Sequence, residues 1–310
     1  MPSTTRCIAW WRGSDGRARS PSRPRRPRAS RSPSTTAHSA TPRSNSRRSA
    51  PSPRTSSRSS WAPPSRSRTP STAATPTAPL SSSGLPTLSS ANVKEADSLA
   101  HERFGIEVDW LMEAAGWQLA RFCQGRTVVA CGIGNNAGDG LAAARHLHRW
   151  GRLASVACVE AGRLRGPAAK ELEALRKLGV DVTGTLLFES AEVVLDAIFG
   201  TGISRAPEGN FATWIDAIND CEAHVICVDV PSGLDADTGV AYAPTVKART
   251  TVTLGLPKAG LVRADGPRLA GELWVADIGM PLEVYAELGI DVPSTLFTAA
   301  DRFRLEAAAG

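Results

Sequence analysis

The chain has 310 residues and a formal net charge of +6 at pH 7, but the charge is unevenly distributed along the sequence. Residues 1–80 contain 16 Arg, no Lys and one acidic residue, whereas residues 81–310 contain 29 acidic and 20 basic residues. The basic charge belongs to the N-terminal segment, so we expect no nucleic-acid binding by the folded domain. No run of 18 apolar residues and no secretory h-region occurs, and we therefore expect a cytoplasmic protein that neither spans a membrane nor is secreted.

The N-terminal segment, residues 1–85, is predicted to be a disordered extension. Much of it consists of Arg, Ser, Pro and Thr, as in SPSRPRRPRASRSPSTTAHSA. This composition buries too little apolar surface to offset the entropy lost on ordering. Three interpretations stay open: a solvated extension, an arm that binds nucleic acid or an anionic surface, and an Arg-rich transit peptide. The solvated extension needs the fewest assumptions, and the lack of an amphipathic apolar face argues against the transit peptide.

Residues 86–310 alternate between helical and strand-like patterns, as βαβ units do. Helical spacing first predicts two helices, in LSSANVKEADSLAHERFG and DWLMEAAGWQLARFC. Short apolar runs predict strands at 127–131, 155–159, 193–199, 224–230, 250–254 and 273–277. Amphipathic segments predict helices at 140–150, 167–178, 211–221 and 281–288. We therefore predict one α/β domain, a Rossmann-like three-layer sandwich with a largely parallel sheet.

The segment after the first of these strands, CGIGNNAGDG, combines glycines with amide and carboxylate side chains. Gly132, Gly134 and Ala137 fit the G-x-G-x-x-G/A fingerprint of a dinucleotide-binding turn, and the following helix N-terminus attracts anions. Asp139 complicates a simple dehydrogenase interpretation, because a carboxylate in the first helical turn already complements the positive helix end. Glu160, at the end of the next apolar run, is the candidate acid for a ribose.

The segment LDAIFGTGISRAPEGN places an acid inside an apolar run. Asp196 there needs a hydrogen-bond donor or a cation, because an unpaired buried carboxylate is costly. The turn Gly200-Thr-Gly202 follows, with free backbone N–H groups that suit a phosphate. A structural role for Asp196, as the cap of a neighbouring loop, stays open.

Two later loops also carry charged side chains just after strands, where ligands bind in parallel sheets. Asp229 precedes the rigid turn Pro231-Ser-Gly233, which is the position of a substrate-contacting acid or of a buried Asp satisfied by backbone N–H groups. Lys258, in TVTLGLPKAGL, reaches a phosphate or carboxylate from the rim or, as single lysines more often are, is solvated. Asp235 and Asp237 are predicted to be exposed turn residues.

Cysteine and histidine positions argue against two classes of site. The six Cys residues are scattered with no C-x-x-C, which indicates free thiols in a reducing compartment and no structural zinc. None of the five His residues falls in the loops described above. A nicotinamide-dependent oxidoreductase would need a placed His, a Tyr–Lys pair or a catalytic Cys, and the loops offer none.

Taken in order, these loops resemble the YjeF N-terminal domain family, the NAD(P)H-hydrate epimerases. The resemblance covers residues 88–300, through LMEAAG, GNNAGDG, DAIFGTGISRAPEGNF, VDVPSGLDADTG, TVTLGLPKAGL and GELWVADIGMP. The chain departs from the pattern at Ala137, where members often carry Gly. Many bacterial members continue into a dehydratase domain, and TAADRFRL resembles the start of the linker to it. The dehydratase is therefore expected either as a separate protein or as a part that this chain lacks.

The resemblance implies a repair isomerase that interconverts the R and S epimers of NADHX and NADPHX at nicotinamide C6. Its functional partner would be an ADP- or ATP-dependent NAD(P)H-hydrate dehydratase, and a homodimer is compatible with it. It implies one K⁺ per subunit, with Asn136, Asp196 and Ser232 as ligands, and their oxygens are hard donors that suit an alkali cation. The implied substrate-binding residues are Asn135, Asn136, Ala137, Gly138, Asp139, Gly200, Thr201, Gly202, Ile203, Ser204, Arg205, Ala206 and Asp229.

For catalysis, our hypothesis is that Asp229 is the general acid/base at the C6 hydroxyl, acting by loss and re-addition of water or by ring opening. The alternative function is a non-catalytic dinucleotide- or protein-binding member of the same fold. The presence of Asn136, Asp196, Asp229 and Ser232 together favours catalysis, because a scaffold has no need of all four.

Overall fold

The computed structural model describes residues 80–81 and 84–306, and most of the predicted N-terminal extension lies outside the described residues. The strands are β1 (Leu80–Ser81), β2 (Thr127–Cys131), β3 (Leu153–Cys158), β4 (Val182–Thr183), β5 (Val193–Ala197), β6 (His224–Val228), β7 (Thr250–Leu254), β8 (Glu272–Ala276) and β9 (Arg302–Glu306). The α-helices are α1 (Ser90–Phe104), α2 (Val108–Phe122), α3 (Asn135–Arg149), α4 (Gly166–Lys177), α5 (Asn210–Asp220), α6 (Gly266–Leu269) and α7 (Leu282–Glu287).

The strands form one sheet in the order β1-β9-β8-β7-β6-β5-β2-β3-β4. Neighbouring strands are parallel except for the antiparallel pair β8 and β9. From β4 to β7 this is the strand order of a doubly wound Rossmann sheet. The order reverses between β2 and β5, and in such sheets the ligand crevice lies outside the carboxyl ends of the strands at this switch point.

Alternate residues of the central strands pack on opposite faces of the sheet, as the period-2 geometry of a strand requires. On one face Val129 and Leu195 belong to a core shared with α2, α3 and α4. On the other face Val128 and Val194 pack with Ile215 of α5. The predicted three-layer sandwich with a largely parallel sheet is confirmed.

Two parts of the sequence-based prediction were wrong in position or type. Helix α3 begins at Asn135, five residues before the predicted start, so most of the predicted turn is helical. The segment predicted to resemble a linker contains β9, an edge strand whose Phe303 and Leu305 are buried. The two-residue strand β4 was not predicted, since it is too short to show a periodic pattern. Among the residues described, no helix has the length and apolar character needed to cross a membrane.

Helix α3 packs closely against β5 at Gly140. A Cβ atom at this position would lie 2.5 Å from the Cβ of Ala197, well inside the contact distance of two carbon atoms. Close helix–strand packing is the role of the third glycine in a dinucleotide fingerprint. Here Gly140 has that role, whereas Ala137, which the sequence pattern placed at the third position, is buried in the core.

Gly140→Ala is therefore expected to lower the free energy of unfolding by about 1–3 kcal/mol, because overpacking outweighs the ~1 kcal/mol gained in helix propensity. Urea denaturation of the full chain measures this difference. Gly162→Ala is the matched control, since no atom lies within 4 Å of the Cβ it would add, and it should change stability by less than about 0.5 kcal/mol. Unchanged or increased stability of Gly140→Ala would contradict the close packing.

Candidate functional site

A cavity of about 470 Å³ lies at the switch point of the sheet. It is lined by the loops that follow β2, β5, β6 and β7 and by residues of α1, α2 and α7. Apolar side chains such as Leu111, Phe199 and Met280 form much of the wall. The polar and charged side chains in the lining are Lys94, Asp97, Asn135, Asn136, Asp139, Thr201, Asp229, Lys258 and Tyr285.

The N-terminus of α3 opens into this cavity. Gly134 is the N-cap residue, and Gly134, Asn135 and Asn136 line the cavity. No acidic residue occupies the first turn of α3, since Asp139 is its fifth residue. The expectation that Asp139 complements the positive helix end was therefore wrong. The free N–H groups and the helix dipole remain available to a phosphate group.

Gly132 holds the two loops of the switch point together. Its N–H donates to the carbonyl oxygen of Ala197 at 3.1 Å. A Cβ atom on Gly132 would lie 2.0 Å from the carbonyl oxygen of Ile198, so only glycine fits. The close backbone approach predicted from the fingerprint is present, and at this glycine the approaching backbone is the neighbouring loop.

The three residues that the resemblance implies as cation ligands belong to one hydrogen-bond network. Ser232 Oγ donates to Asp196 Oδ1 at 2.6 Å and accepts from Phe199 N–H at 2.8 Å. Asn136 Nδ2 donates to the carbonyl oxygen of Phe199 at 2.9 Å, which leaves Oδ1 as an acceptor. Residues distant in sequence thus place amide, hydroxyl, carbonyl and carboxylate oxygens together, a donor set suited to a hard cation.

Asp196 is fully buried, and its partners are neutral donors. Besides Ser232 Oγ, it accepts from the backbone N–H of Ser232 at 3.0 Å, that of Ile198 at 3.2 Å and the Cys227 thiol at 3.2 Å. Burial raises the pKa of Asp196 despite these hydrogen bonds. Within the described part of the chain, no Lys, Arg or His forms an ion pair with Asp196. A carboxylate here would lack an ionic partner, and a bound cation would supply one.

Asp229 forms a buried ion pair with Lys258. Lys258 Nζ donates to Asp229 Oδ1 at 2.5 Å and to the carbonyl oxygen of Leu254 at 2.8 Å. Asp229 Oδ1 also accepts from Thr253 Oγ1 at 3.0 Å and from the Leu254 N–H at 3.1 Å. Lys258 is only 2% exposed, so the prediction of a rim or solvated lysine was wrong.

The backbone at Asp229 also has an unusual conformation. Its φ of 64° lies in the left-handed region, which residues other than glycine adopt rarely and Asp more readily than most. The Asp229 N–H donates to the carbonyl oxygen of Val252 on β7 at 2.9 Å. This turn at the carboxyl end of β6 brings the carboxylate to the cavity, and such conformations concentrate at functional sites.

Two further carboxyl groups face the same cavity. Burial raises the pKa of Asp139 well above its ordinary value, and the nearby charges of Asp229 and Asp97 add to this, with Lys258 opposing. Burial also raises the pKa of Asp97, where Lys258 lowers it and Asp229 raises it. Three carboxyl groups thus lie with the Lys258 ammonium in a partly enclosed space.

The structure brings only some of the sequence-predicted residues to the cavity. Asn135, Asn136, Asp139, Asp229 and the range 200–203 line it. Ala137 and Gly138 are buried away from it, and Ser204, Arg205 and Ala206 are exposed and outside its lining. Glu160 pairs with Arg163 at 2.5 Å and does not line it. Asp235 and Asp237 are half-buried rather than exposed.

Sequence reasoning missed Asp97 and Tyr285 and undervalued Lys258. A signal existed for two of them. Asp97 lies on the apolar face of its helix, four residues after Val93 and three before Ala100, and Lys258 interrupts an otherwise apolar segment. A charged residue in a buried pattern indicates a buried ion pair or a site. Tyr285 gave no such signal, because an aromatic residue in an amphipathic helix is ordinary core.

The fold and cavity together define a doubly wound α/β protein with an acidic cleft at its switch point. Comparisons with known proteins narrow this class. A family model of the YjeF-related protein N-terminus matches residues 108–260. The chain is 35% identical over 227 residues to the NAD(P)H-hydrate epimerase of Dehalogenimonas lykanthroporepellens, covering 69% of this chain and 91% of that protein. It is 33% identical over 218 residues to that of Rhodopirellula baltica, covering 66% and 89%. The chain therefore belongs to the YjeF N-terminal domain family.

Other relatives are longer, and one solved structure shares the fold. The bifunctional NAD(P)H-hydrate repair enzyme Nnr of Moorella thermoacetica is 40% identical over 220 residues, which cover 64% of this chain and 41% of that enzyme. The chain thus spans about two fifths of the length of such relatives. The crystal structure of yeast ynu0, YNL200c, aligns with a TM-score of 0.61 at 23% identity, covering 71% of this chain and 100% of that one.

Lys258→Met is expected to lower the free energy of unfolding by about 3–5 kcal/mol, because it leaves Asp229 as a buried charge without a counter-ion. The double variant Lys258→Met/Asp229→Asn should lose less free energy of unfolding than Lys258→Met alone. Urea denaturation of both variants measures the difference. Lys177→Met, at an exposed surface pair with Glu173, is the control and should stay within about 0.5 kcal/mol. Equal changes in the free energy of unfolding for Lys258→Met and Lys177→Met would show that the buried ion pair does not stabilise the fold.

Proposed function

We propose that this protein is an NAD(P)H-hydrate epimerase, which interconverts the R and S epimers of NADHX and NADPHX. The observation that carries the proposal is one cleft at the switch point that combines an open helix N-terminus with acid/base carboxyl groups. Relatives of which the chain covers about nine tenths carry this activity in their names. The cavity volume, about 470 Å³, is within the range of small-molecule sites.

Epimerisation at C6 needs an acid and a base in the same cleft. The acid protonates the C6 hydroxyl, the C6–O bond breaks with its electron pair leaving on water, and the ring nitrogen lone pair forms an iminium with C6. Water then adds to the other face of C6, and the base takes its proton. When the S epimer is converted back to the R epimer, the same two groups exchange protons again. Each group must therefore be able to hold and to release a proton near neutral pH.

Asp139 and Asp229 have environments that suit these two roles. Burial and the neighbouring carboxylates raise the pKa of Asp139, which favours its acid form. Asp229 forms an ion pair with the Lys258 ammonium, so a carboxylate at this position has a charged partner inside the cleft. Pairs of carboxyl groups in contrasting environments identify acid and base in other enzymes. Asp229 is thus the base of the proposed reaction and Asp139 the acid.

For the remainder of the substrate, the cleft offers sites of suitable chemistry. The α3 N-terminus and the turn at residues 200–203 supply backbone N–H groups for the pyrophosphate. Asn136, Asp196 and Ser232 would hold one K⁺. A bound cation there supplies positive charge that offsets the buried Asp196 and the phosphate oxygens.

The reaction also requires a consumer of the S epimer. The longer relatives are named bifunctional repair enzymes, which supports an ADP- or ATP-dependent NAD(P)H-hydrate dehydratase as the functional partner. Homodimer formation stays a prediction from the resemblance.

The full chain is expected to accelerate conversion of R-NADPHX to the S epimer, followed by the NADPH that a separate dehydratase forms from it. Asp229→Asn should reduce the epimerisation rate by roughly 10²–10⁴-fold, because the amide accepts no proton from water. Asp216→Asn, at an exposed position of α5, is the control and should retain the wild-type rate.

Two results would overturn parts of this assignment. If the R epimer is converted to the S epimer no faster with the wild-type chain than without it, the protein is a non-catalytic member of the family. If Asp229→Asn equilibrates the epimers at the wild-type rate, another group is the base.

The cation proposal has a readout that needs no activity. KCl should raise the thermal midpoint of the wild-type chain above that in choline chloride of equal ionic strength. A 100-fold excess of K⁺ over its Kd adds about 2.7 kcal/mol, and each kcal/mol corresponds to about 2–4 °C at this size. Ser232→Ala and Asp196→Asn should abolish the increase, whereas Ser204→Ala, at an exposed position, should keep it. Equal thermal midpoints of the wild-type chain in the two salts would contradict the proposed cation site.

A further inference from the structure

Asp97 lines the same cavity as the buried ion pair of Lys258 and Asp229. Its helix, α1, lies outside the segment matched by the family model. The residue before the α1 N-cap region, Leu88, forms a parallel bridge with Lys258, in which Leu88 N–H donates to the Pro257 carbonyl at 2.8 Å and Ala259 N–H donates to the Leu88 carbonyl at 3.0 Å. The backbone on either side of Lys258 is therefore hydrogen-bonded to the segment that leads into α1.

A second contact fixes the first turn of α1. Ser90 donates from its backbone N–H and from its hydroxyl to the Asp237 carboxylate, at 2.5 and 2.7 Å. Ser89 and Asn92 complete a capping box, in which Asn92 N–H donates to Ser89 Oγ at 3.1 Å. With this end of the helix held, Asp97, the eighth residue of α1, lines the cavity together with Lys258.

The hydrogen bonds of Lys258 leave part of its donor capacity free. An ammonium group has three N–H donors, and Lys258 uses two of them on Asp229 and Leu254. Asp97 makes no hydrogen bond to Lys258 among the described residues, so the two interact through charge alone. The carboxyl groups of Asp97, Asp139 and Asp229 cannot all ionise without a net negative charge in a partly enclosed space, which is costly.

We propose that Asp97 is a positioning residue of the epimerase site: its carboxyl group lines the same cavity as Asp139 and the Lys258–Asp229 ion pair, and its negative charge opposes ionisation of Asp139. This role rests on the proposed function, because it concerns the acid of that reaction. Burial raises the pKa of Asp139 most, and the charges of Asp229 and then Asp97 add to it, so removing the Asp97 carboxyl lets Asp139 ionise at lower pH. The charged or titratable groups that face Asp97 around the cavity are Lys94, Asp139, Asp229, Lys258 and Tyr285.

The experiment compares Asp97→Asn, Asp97→Glu and Glu95→Gln in the full chain. Glu95 lies on the same helix but is exposed, which makes its variant the matched control. Carboxyl carbon NMR of ¹³C-Asp-labelled protein, with the Asp139 signal assigned by Asp139→Asn, follows the titration of Asp139 without any need for activity. The pH profile of kcat/KM for epimerisation is measured in parallel.

In Asp97→Asn the Asp139 signal is expected to titrate at lower pH than in the wild type. The basic limb of kcat/KM should move in the same direction, so the loss of kcat/KM at pH 9 exceeds that at pH 6 by about tenfold for each pH unit moved. Asp97→Glu should show the wild-type titration of Asp139 and the wild-type basic limb of kcat/KM, and Glu95→Gln should leave both unchanged. An unchanged Asp139 titration, or a loss of kcat/KM equal at all pH values, overturns the role of Asp97. Failure of the proposed function is seen separately, as the absence of wild-type epimerisation.

Discussion

The buried ion pair between Lys258 and Asp229 is the interaction on which the site depends. Burying either charge without its partner is costly, so each side chain constrains the position of the other. Lys258 belongs to the loop after β7 and Asp229 to the end of β6, and Thr253 and Leu254 of β7 complete the hydrogen bonds of the carboxylate. Through the bridge to Leu88 the same loop also holds the start of α1. The ion pair joins two sides of the cavity, and the backbone bridge joins the third, α1, to them.

A second buried carboxylate, one strand away, is stabilised differently. Asp196 on β5 has only neutral donors from Ser232, Cys227 and Ile198, and burial raises its pKa. Asp229 has a lysine, whereas Asp196 has none among the residues described. In the proposed function the two strands have separate tasks: β6 would present a carboxylate to the reacting ring, and β5 would present one to a cation beside the phosphates. Both follow from the end of a parallel strand being the place where a loop can turn a side chain into the crevice.

The elements were predictable because their signals are local. The strands at residues 127–131 and 250–254 are short, apolar and bounded by turns, and both were confirmed with the predicted bounds. The start of α3 was not predictable from the same logic, because glycine and asparagine at positions 134–136 are typical of turns as well as of helix starts. The strand β9 alternates buried and exposed residues, but only pairing with β8 distinguishes it from a linker.

The sequence by itself determined the class of fold and the family, because strand length, helix period and ordered loop motifs are all written within short windows. It also singled out Asp196 and Asp229, since each lies in or directly after an apolar run, and Asp139 in the Gly-rich loop, whereas Ser232 was implied only by the family resemblance. Only the tertiary structure decided the counter-ion of Asp229 and the membership of Asp97 in the cleft. The first fact depends on a contact between residues 29 positions apart in the chain. The second depends on where α1 packs relative to the loops after β6 and β7. No local pattern of side chains can encode either.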